Sequence, residues 1–242
     1  MDKGVLTGCD HRQEYLLKWW WKNYSKHNDY PVTFCDFGMT PSARTWCQTK
    51  GNIVTQTTIP IQNLSEGIEK APWIDSLFPL MWNHREAWFQ KAFVQTQSPY
   101  NQTIWLDLDC EVKKNLLPLY ELTQVGDGFA IAHYLDYETK LARSRNLIRE
   151  GVKGVQAGVF AHRKDSPVIP AWIEWCKAKY THDFSDETCL SHLLHEKDFN
   201  IVYMSRNFNW TTIEQANAQA LILHHASATR KRNLLPLINF ND

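Results

Sequence analysis

The sequence predicts a mixed α/β fold, with a mostly parallel central sheet and flanking helices, in a single domain spanning residues 1–242. Short apolar runs alternate with segments of helical spacing, a pattern typical of parallel sheets covered on both faces. No internal repeat, low-complexity tract or Gly/Ser linker marks a domain boundary. Hydrophobic residues at 43% and charged residues at 21% indicate an ordinary folded chain.

The apolar runs predict seven strands, because each is short and rich in β-branched, aromatic or aliphatic residues. They are Val5–Thr7, Val32–Cys35, Ile53–Gln56, Thr103–Leu106, Gly128–Ala132, Val155–Ala161 and Ile201–Met204. Apolar residues at helical spacing predict helices between the strands. These helices are Gln13–Tyr24, His84–Gln97, Pro170–Tyr180 and Glu187–His195. Ligands bind beyond the carboxyl ends of parallel strands, so functional residues are expected just after the apolar runs.

Composition and charge exclude several classes of protein. The 26 basic and 26 acidic residues balance, which argues against a nucleic-acid partner held mainly through its phosphates. The chain opens without the apolar stretch of a signal peptide, and no run reaches the 18 apolar residues of a membrane span. We therefore expect a cytoplasmic protein with six free cysteines, in which the Asn-x-Ser/Thr matches at Asn63, Asn101 and Asn209 are chance.

The strongest local signal is the pair of carboxylates, Asp107 and Asp109, that ends the apolar run Thr103–Leu106. Residues i and i+2 of an extended chain face the same side, so both side chains can bind one divalent cation. Hard oxygen ligands suit Mg²⁺ or Mn²⁺, which can bridge a bound diphosphate. The alternative is a solvated acidic turn. We expect loss of either carboxylate to leave the fold intact, because strand-end carboxylates without a buried partner contribute little stability.

A second signal combines two imidazoles with a basic segment near the end of the chain. The apolar run Leu-Ile-Leu leads into His224 and His225, and Arg230 and Lys231 follow. A neutral imidazole can be a third metal ligand, and the cations can bind phosphates. The alternative is a core histidine followed by a solvated basic tail. We prefer His224 as the ligand because it directly follows the apolar run.

Two further segments offer polar groups where a ligand could bind. Asp186 and Glu187 begin a predicted helix, although capping and the helix dipole alone would explain acidic residues there. Gln156 precedes Ala157 and Gly158, small residues that let a ligand approach the backbone, and its amide can bind a hydroxyl. A tight bend is the alternative for this segment.

The order of these motifs resembles that of GT-A fold nucleotide-sugar glycosyltransferases, most closely the family-8-like retaining enzymes of bacteria. The likeness covers most of the chain as motif order rather than residue identity. It implies that Asp107, Asp109 and His224 bind the metal, and that Asp186, Glu187 and Gln156 act at the reacting sugar. The residues expected to bind the donor are Thr7, Cys9, Asp10, Arg12, Asp36, Lys91, Leu108, Arg230 and Lys231.

Several of these assignments carry alternatives. Lys91 is preferred to Arg85 as the basic residue that reaches the donor from its helix, and a plain surface lysine is the other reading. Asp36 could hold the base or ribose, or cap its own loop. The sequence departs from the family's pattern in having Gln156 for an Asn and Glu187 for a Gln.

The expected function is therefore metal-dependent transfer of a sugar from a nucleoside-diphosphate sugar, with a UDP-sugar as first choice, to a hydroxyl of a glycan, glycolipid or protein. The donor half would span about 1–111 and the acceptor half about 112–242, with peripheral contact at the inner membrane face an open option. Retention of configuration follows only from the resemblance, and leaves either Glu187 as nucleophile or front-face transfer. The rival functions are a sugar-phosphate nucleotidyltransferase and a carbohydrate- or protein-binding module.

Overall fold

Seven strands form a central sheet between two layers of helices in the computed structural model, which describes residues 1–61, 67–77, 82–211 and 216–238. The strands are β1 Lys3–Cys9, β2 Val32–Asp36, β3 Asn52–Thr55, β4 Gln102–Leu106, β5 Cys110–Val112, β6 Phe129–His133, β7 Val155–Arg163, β8 Val202–Tyr203, β9 Trp210–Thr211 and β10 Ile222–His224. The helices are α1 Leu17–Ser25, α2 Pro41–Gln48, α3 Ile74–Leu77, α4 Trp82–Val94, α5 Leu117–Leu122, α6 Asp136–Ser144, α7 Val168–Lys179, α8 Asp186–Glu196 and α9 Ala228–Leu234.

The central sheet has the order β3-β2-β1-β4-β7-β6-β8, and its members are the seven strands that the apolar runs predict. Every neighbouring pair is parallel except those that include β7, which runs antiparallel to both β4 and β6. The mostly parallel sheet is thus confirmed. A second, small sheet has the order β5-β10-β9 and carries the apolar run that precedes His224.

The direction of β7 determines which residues meet at the edge of the sheet where β4 ends. Leu106 of β4 pairs with Val159 of β7, and the Asp107 N–H donates to the Gly158 carbonyl at 2.9 Å. The first residues of β7 therefore lie beside the last residues of β4. Functional residues follow the apolar run in β4, as expected, but in β7 they stand at its beginning because that strand runs the other way.

The helix bounds follow local capping chemistry. The first helix begins at Leu17 rather than at residue 13, because residues 14–16 form a separate 3₁₀ turn. Helix α8 begins at Asp186, with the Ser185 hydroxyl accepting from the Thr188 N–H at 3.2 Å. Helices α2, α5 and α6 are short elements that the periodicity does not predict, although Thr40 and Pro41 at the start of α2 are good start signals.

Large aromatic side chains fill the core on both faces of the sheet. Trp20 and Phe34 belong to the cluster on one face, and Trp105, Phe160 and Trp172 belong to the cluster on the other. These tryptophans are therefore core residues. The six cysteines are free and buried, as expected. None of the helices described is both long and apolar enough to cross a membrane.

Candidate active site

Two adjoining cavities open along the edge of the sheet at which β1 and β4 end. The smaller, of about 80 Å³, is lined by Gly8, Cys9, Asp10 and Leu108 among others. The larger, of about 270 Å³, is lined by residues from both halves of the chain, which include Asp109, Gln156, Asp186, Glu187 and His224. Trp88, Lys91, Asp107 and Lys231 line both cavities, so the two form one continuous cleft.

Asp109 and His224 meet at the centre of this cleft. His224 Nε2 lies 3.3 Å from Asp109 Oδ1, and both side chains are about 5% exposed. The Cys110 thiol completes a group of three potential metal ligands. That thiol donates to the Gly158 carbonyl at 3.7 Å, and burial raises its pKa well above the usual range. Soft sulfur is also a poorer ligand than oxygen for a hard cation such as Mg²⁺ or Mn²⁺.

Asp109 has a buried cationic partner, contrary to the sequence expectation. Lys231 Nζ lies 3.1 Å from Asp109 Oδ2. Although burial alone raises the pKa of Asp109, the charges of Lys231 and His224 hold it well below its usual range. Asp109 therefore departs from the expectation that these carboxylates lack a buried partner, because α9 brings Lys231 back against the residues that follow β4. Removing Asp109 should therefore cost stability as well as function.

Lys91 joins the carboxylates of two different elements. Its Nζ lies 3.2 Å from Asp107 Oδ1 and 3.3 Å from Asp186 Oδ2, and it also donates to the Ala157 carbonyl at 3.3 Å. Burial by itself would lower the pKa of Lys91, but the carboxylates of Asp107 and Asp186 hold it well above its usual value. Lys91 is thus charged and buried at the floor of the cleft, not a plain surface lysine.

The two carboxylates at the start of α8 are harder to ionise than usual. Burial raises the pKa of Asp186 to about 6, despite the opposing charge of Lys91. Burial also raises the pKa of Glu187 to about 7, where the hydrogen bond from Tyr134 opposes the shift and the charge of Asp186 adds to it. Such shifts are common at functional sites. Capping of α8 belongs to Ser185, so neither carboxylate is needed for it.

Glu187 has two protein partners. The Tyr134 hydroxyl donates to Oε1, and the Ala157 N–H donates to Oε2 at 2.6 Å. Its carboxylate therefore ties α8 to the start of β7 and to the end of β6. Gln156, only 8% exposed, lies at the start of β7 and lines the larger cavity.

The structure shows which of the two histidines, and which of the two basic residues Arg230 and Lys231, faces the cleft. His225 turns away from Asp109 and lies 3.3 Å from Glu111 Oε2, with its ring edge-on to Trp19. Arg230 is absent from the lining of both cavities, whereas Lys231 lines both. His224 and Lys231 are therefore the pair brought to the cleft.

The residues expected to bind the donor are only partly brought together. Cys9, Asp10 and Leu108 line the smaller cavity. Thr7 is fully buried within β1 and lines neither cavity, and the exposed Arg12 pairs with Asp10 at 3.0 Å rather than lining the cleft.

Asp36 serves its own loop. Its Oδ1 accepts from the N–H groups of Gly38 and Met39 at 2.9 and 2.8 Å, and its Oδ2 pairs with Arg44. This is the capping alternative considered for this residue. A role in holding the base or ribose stays a prediction.

Arg85 is a buried structural residue on the same helix as Lys91. Its guanidinium donates to the carbonyls of Phe184 at 2.7 Å and Asp183 at 2.9 Å. It thereby fixes the segment that leads into α8 and its two carboxylates.

Some residues of the site carry little sequence signal. Tyr134 stands directly after β6, so the rule that functional residues follow apolar runs could have found it. Trp105 precedes the acidic pair and donates from Nε1 to Asp107 Oδ1 at 2.6 Å. Gly158 gives His224 room, because a Cβ at that position would lie 2.2 Å from the imidazole Cε1. Asn209, which contacts His224, is visible in the sequence only as a chance Asn-x-Thr match.

Comparison with solved structures identifies the fold. The chain is similar to the galactosyltransferase LgtC, solved with donor and acceptor sugar analogs, with a TM-score of 0.60 and 16% identity over 94% of this chain and 88% of that one. It is also similar to mouse xyloside xylosyltransferase 1, with a TM-score of 0.57 and 14% identity over 93% of this chain and 97% of that one. The chain has the GT-A fold of these glycosyltransferases.

The same fold is found in larger proteins. The glycosyltransferase GlyE of Streptococcus pneumoniae TIGR4 matches with a TM-score of 0.61 and 17% identity, over 96% of this chain and 56% of that chain. No family model matches the sequence, and no curated protein matches it. The GT-A fold class expected from the motif order is thus confirmed by the structure, not by sequence relatives.

Proposed function

We propose that this chain is a metal-dependent glycosyltransferase that moves a sugar from a nucleoside-diphosphate sugar to a hydroxyl acceptor. The observation that carries the proposal is the meeting of Asp109 and His224, 3.3 Å apart, at the carboxyl edge of β4 in a GT-A fold. Asp107 follows the same strand and faces the same cleft. The LgtC structure carries donor and acceptor sugar analogs, which makes sugar transfer the first activity to test for this fold.

The residues present suit a divalent cation. Asp107, Asp109 and His224 offer two hard carboxylates and one imidazole, a set that fits Mn²⁺ or Mg²⁺. Four carboxylates reach the larger cavity, at residues 107, 109, 186 and 187, against the lysines at 91 and 231. With all six ionised they leave an excess of two negative charges, which a divalent cation would balance. Such a cation would supply charge neutralisation on the departing diphosphate.

The protein's own residues would bind the leaving group and orient the reacting sugar. Lys231, which lines both cavities, would bind the diphosphate. Asp186, Glu187 and Gln156 line the same cavity and would position the sugar and the acceptor hydroxyl. Lys91 would keep Asp107 and Asp186 in place. Whether Glu187 is a nucleophile or only a positioning residue is tested below.

The finer assignments stay predictions. They are a UDP-sugar donor bound mainly by residues 1–111, a glycan, glycolipid or protein acceptor bound mainly by residues 112–242, a single domain and retention of configuration. A cytoplasmic location is also predicted, with peripheral contact at the inner membrane face as an option. The smaller cavity at the end of β1 is the place where we expect the nucleotide.

The proposed function is tested by titrating UDP, GDP and CDP into the protein calorimetrically, with and without Mn²⁺, and then screening the corresponding sugar nucleotides for turnover. We expect nucleotide affinity that depends on Mn²⁺, and release of the free nucleoside diphosphate from one donor class. A binding module would show no metal-dependent nucleotide affinity. A nucleotidyltransferase would instead release pyrophosphate from a nucleoside triphosphate and a sugar phosphate.

Lys231 and Arg230 form a matched pair for testing the phosphate contact, because they are adjacent cations of which only Lys231 lines the cleft. At saturating Mn²⁺, Lys231→Met should weaken diphosphate binding by about 1.5–3 kcal/mol, the typical value of a lost charge-assisted hydrogen bond, and leave nucleoside binding unchanged. Arg230→Met should bind the diphosphate as the parent does. Equal diphosphate affinity in the parent and Lys231→Met, measured calorimetrically, would remove the phosphate contact.

Glu187→Gln should lower turnover by about ten- to a hundredfold with little change in donor affinity. An amide can still accept from the Ala157 N–H and hydrogen-bond Tyr134, but it carries no charge.

The pH profile of Glu187→Gln should change as well. A carboxyl group with a raised pKa takes up its proton at a higher pH, so parent turnover should fall as the pH drops through about 7 and then about 6. The variant should keep only the fall near pH 6.

The size of this effect distinguishes the roles of Glu187. Full activity in Glu187→Gln would reduce the carboxylate to a structural tie between α8 and β7. Loss of turnover by several orders of magnitude, with donor binding retained, would favour Glu187 as a covalent nucleophile. Tyr134→Phe is the matched control, because it removes one hydrogen bond to Glu187 but keeps the carboxyl group. Its turnover is compared at a pH well above 7, since losing that hydrogen bond raises the pKa of Glu187 further.

A further inference from the structure

Asn209 is a fully buried amide beside the imidazole that we assign to the metal. It is 1% exposed and directly precedes β9, whose Thr211 pairs with His224 of β10. Its Oδ1 lies 2.9 Å from His224 Nδ1, and its Nδ2 donates to the Gln156 carbonyl at 3.3 Å. The Asn-x-Thr match that begins at this residue is therefore inside the protein, where its amide has a different use.

The two contacts allow only one orientation of the amide. The backbone carbonyl of Gln156 can only accept a hydrogen bond, so the Asn209 NH₂ group must face it. The amide oxygen then faces His224, and because this oxygen can only accept, Nδ1 must carry a proton. The carbonyl of Gln156 thus orients the Asn209 amide so that its oxygen accepts a hydrogen bond from His224 Nδ1.

We propose that Asn209 is a positioning residue that keeps a proton on His224 Nδ1, so that the lone pair of Nε2 is available to a metal. The metal part of this inference rests on the proposed function. Asp109 Oδ1, 3.3 Å from Nε2, competes for the proton of a neutral imidazole. Without the Asn209 oxygen, the carboxylate would draw that proton to Nε2 and leave this nitrogen unable to bind a cation. Hydrogen bonds from the second nitrogen of a ligating histidine commonly serve this purpose.

Gly158 supports the same orientation from another side. A Cβ at Gly158 would lie 2.2 Å from Cε1 and 2.8 Å from Nε2 of His224, so the imidazole ring packs directly on this glycine. The ring position is therefore set by packing and the proton position by Asn209. Gly158 and the Gln156 carbonyl that orients the Asn209 amide both belong to the first residues of β7.

The proton position is measured in the metal-free protein by ¹⁵N NMR of the imidazole, at a pH high enough for His224 to be neutral. The signals of His224 are those missing from His224→Gln. We expect a protonated Nδ1 and a bare Nε2 in the parent, and a proton shifted toward Nε2 in Asn209→Leu, which is close in size but offers no acceptor. A parent protein with its proton on Nε2 would overturn the inference, and this measurement needs no Asn209 variant to fold.

Mn²⁺ affinity, followed by the electron paramagnetic resonance signal of free Mn²⁺, tests the consequence. Asn209→Leu should weaken Mn²⁺ binding by about ten- to a hundredfold, the usual effect of losing such an outer partner. Asn209→Asp, which keeps an acceptor for Nδ1–H, should stay within about threefold of the parent. Equal affinity in the parent and Asn209→Leu, or equal loss in the Asp and Leu variants, would contradict the proposal.

Asn28→Leu is the matched control for the loss of a buried amide. Asn28 is 7% exposed, donates to the Lys114 carbonyl at 3.2 Å and accepts from the Leu116 N–H at 2.8 Å, away from the cleft. It should lose thermal stability as Asn209→Leu does, yet bind Mn²⁺ as the parent does. A parent that binds no Mn²⁺ would instead contradict the proposed function, and the NMR result would still decide the role of Asn209.

Discussion

An Asp109→Asn variant is expected to lose metal-dependent donor turnover by at least about a hundredfold. The substitution replaces a charged ligand by a neutral amide, at the position where His224 and the end of β4 meet. Charge stabilisation of the leaving group is the largest contribution to catalysis that we expect from this site. Its loss should therefore lower turnover. The measurement is release of nucleoside diphosphate at saturating donor and Mn²⁺.

Glu111→Gln is the matched control for Asp109→Asn. It removes a carboxylate two residues further along the chain, one that pairs with Lys113 and His225 outside the cleft. We expect this control to keep nearly full turnover. Asp109→Asn should also unfold at a lower temperature than the control, because Lys231 and His224 lose their buried anionic partner. Turnover above about a tenth of the parent rate in Asp109→Asn would remove the metal assignment.

The second large effect is expected from Asp186→Asn, which should lower turnover by about a hundredfold or more while donor affinity persists. Asp186 is 3% exposed, faces the larger cavity and pairs with Lys91 at 3.3 Å. The amide would keep the size of the side chain but not the charge that orients Lys91 and the reacting sugar. Single-turnover kinetics with a donor titration separate the two quantities.

Ser185→Ala distinguishes chemistry from capping at the start of α8. It removes the hydroxyl that accepts from Thr188 and should cost about 1 kcal/mol of stability with turnover nearly unchanged. Asp186→Asn should do the reverse. Burial raises the pKa of Asp186 to about 6, so folding disfavours its charged form, and Lys91 keeps Asp107 as an anionic partner in the variant; the neutral amide should therefore unfold at nearly the parent temperature at pH 7. If both variants lost equal stability and no turnover, Asp186 would be a helix-start residue only.

The sequence was a good guide to elements whose signal is local. The seven apolar runs correspond to the seven strands of the central sheet, because a buried strand needs only a few consecutive residues of the right kind. The acidic pair at the end of β4 and the capped start of α8 are also visible locally. Short helices such as α5 and α6 escaped prediction, because their stability comes from packing rather than from periodicity.

Contacts between distant segments had no such signal. The sequence alone also allowed Lys91 to be a surface lysine. The packing of α4 against the sheet brings it to Asp107 and Asp186. The sequence offered Arg230 and Lys231 equally, and only the path of α9 brings the second of them to Asp109. Asn209 stands out in the sequence only as an Asn-x-Thr match, and its contact with His224 is visible only in the structure.

By itself, the sequence determined the strands of the central sheet, the start of α8 and the kinds of chemical group available at strand ends, because spacing along an extended or helical chain dictates which neighbours share a face. The tertiary structure decided the direction of β7, the lysine partner of each carboxylate and the choice of His224 over His225. Those outcomes depend on strand order and direction, and so on the packing of the whole chain. Burial then decided the ionisation of Asp186 and Glu187, because the cost of removing a carboxylate from water depends on everything packed around it.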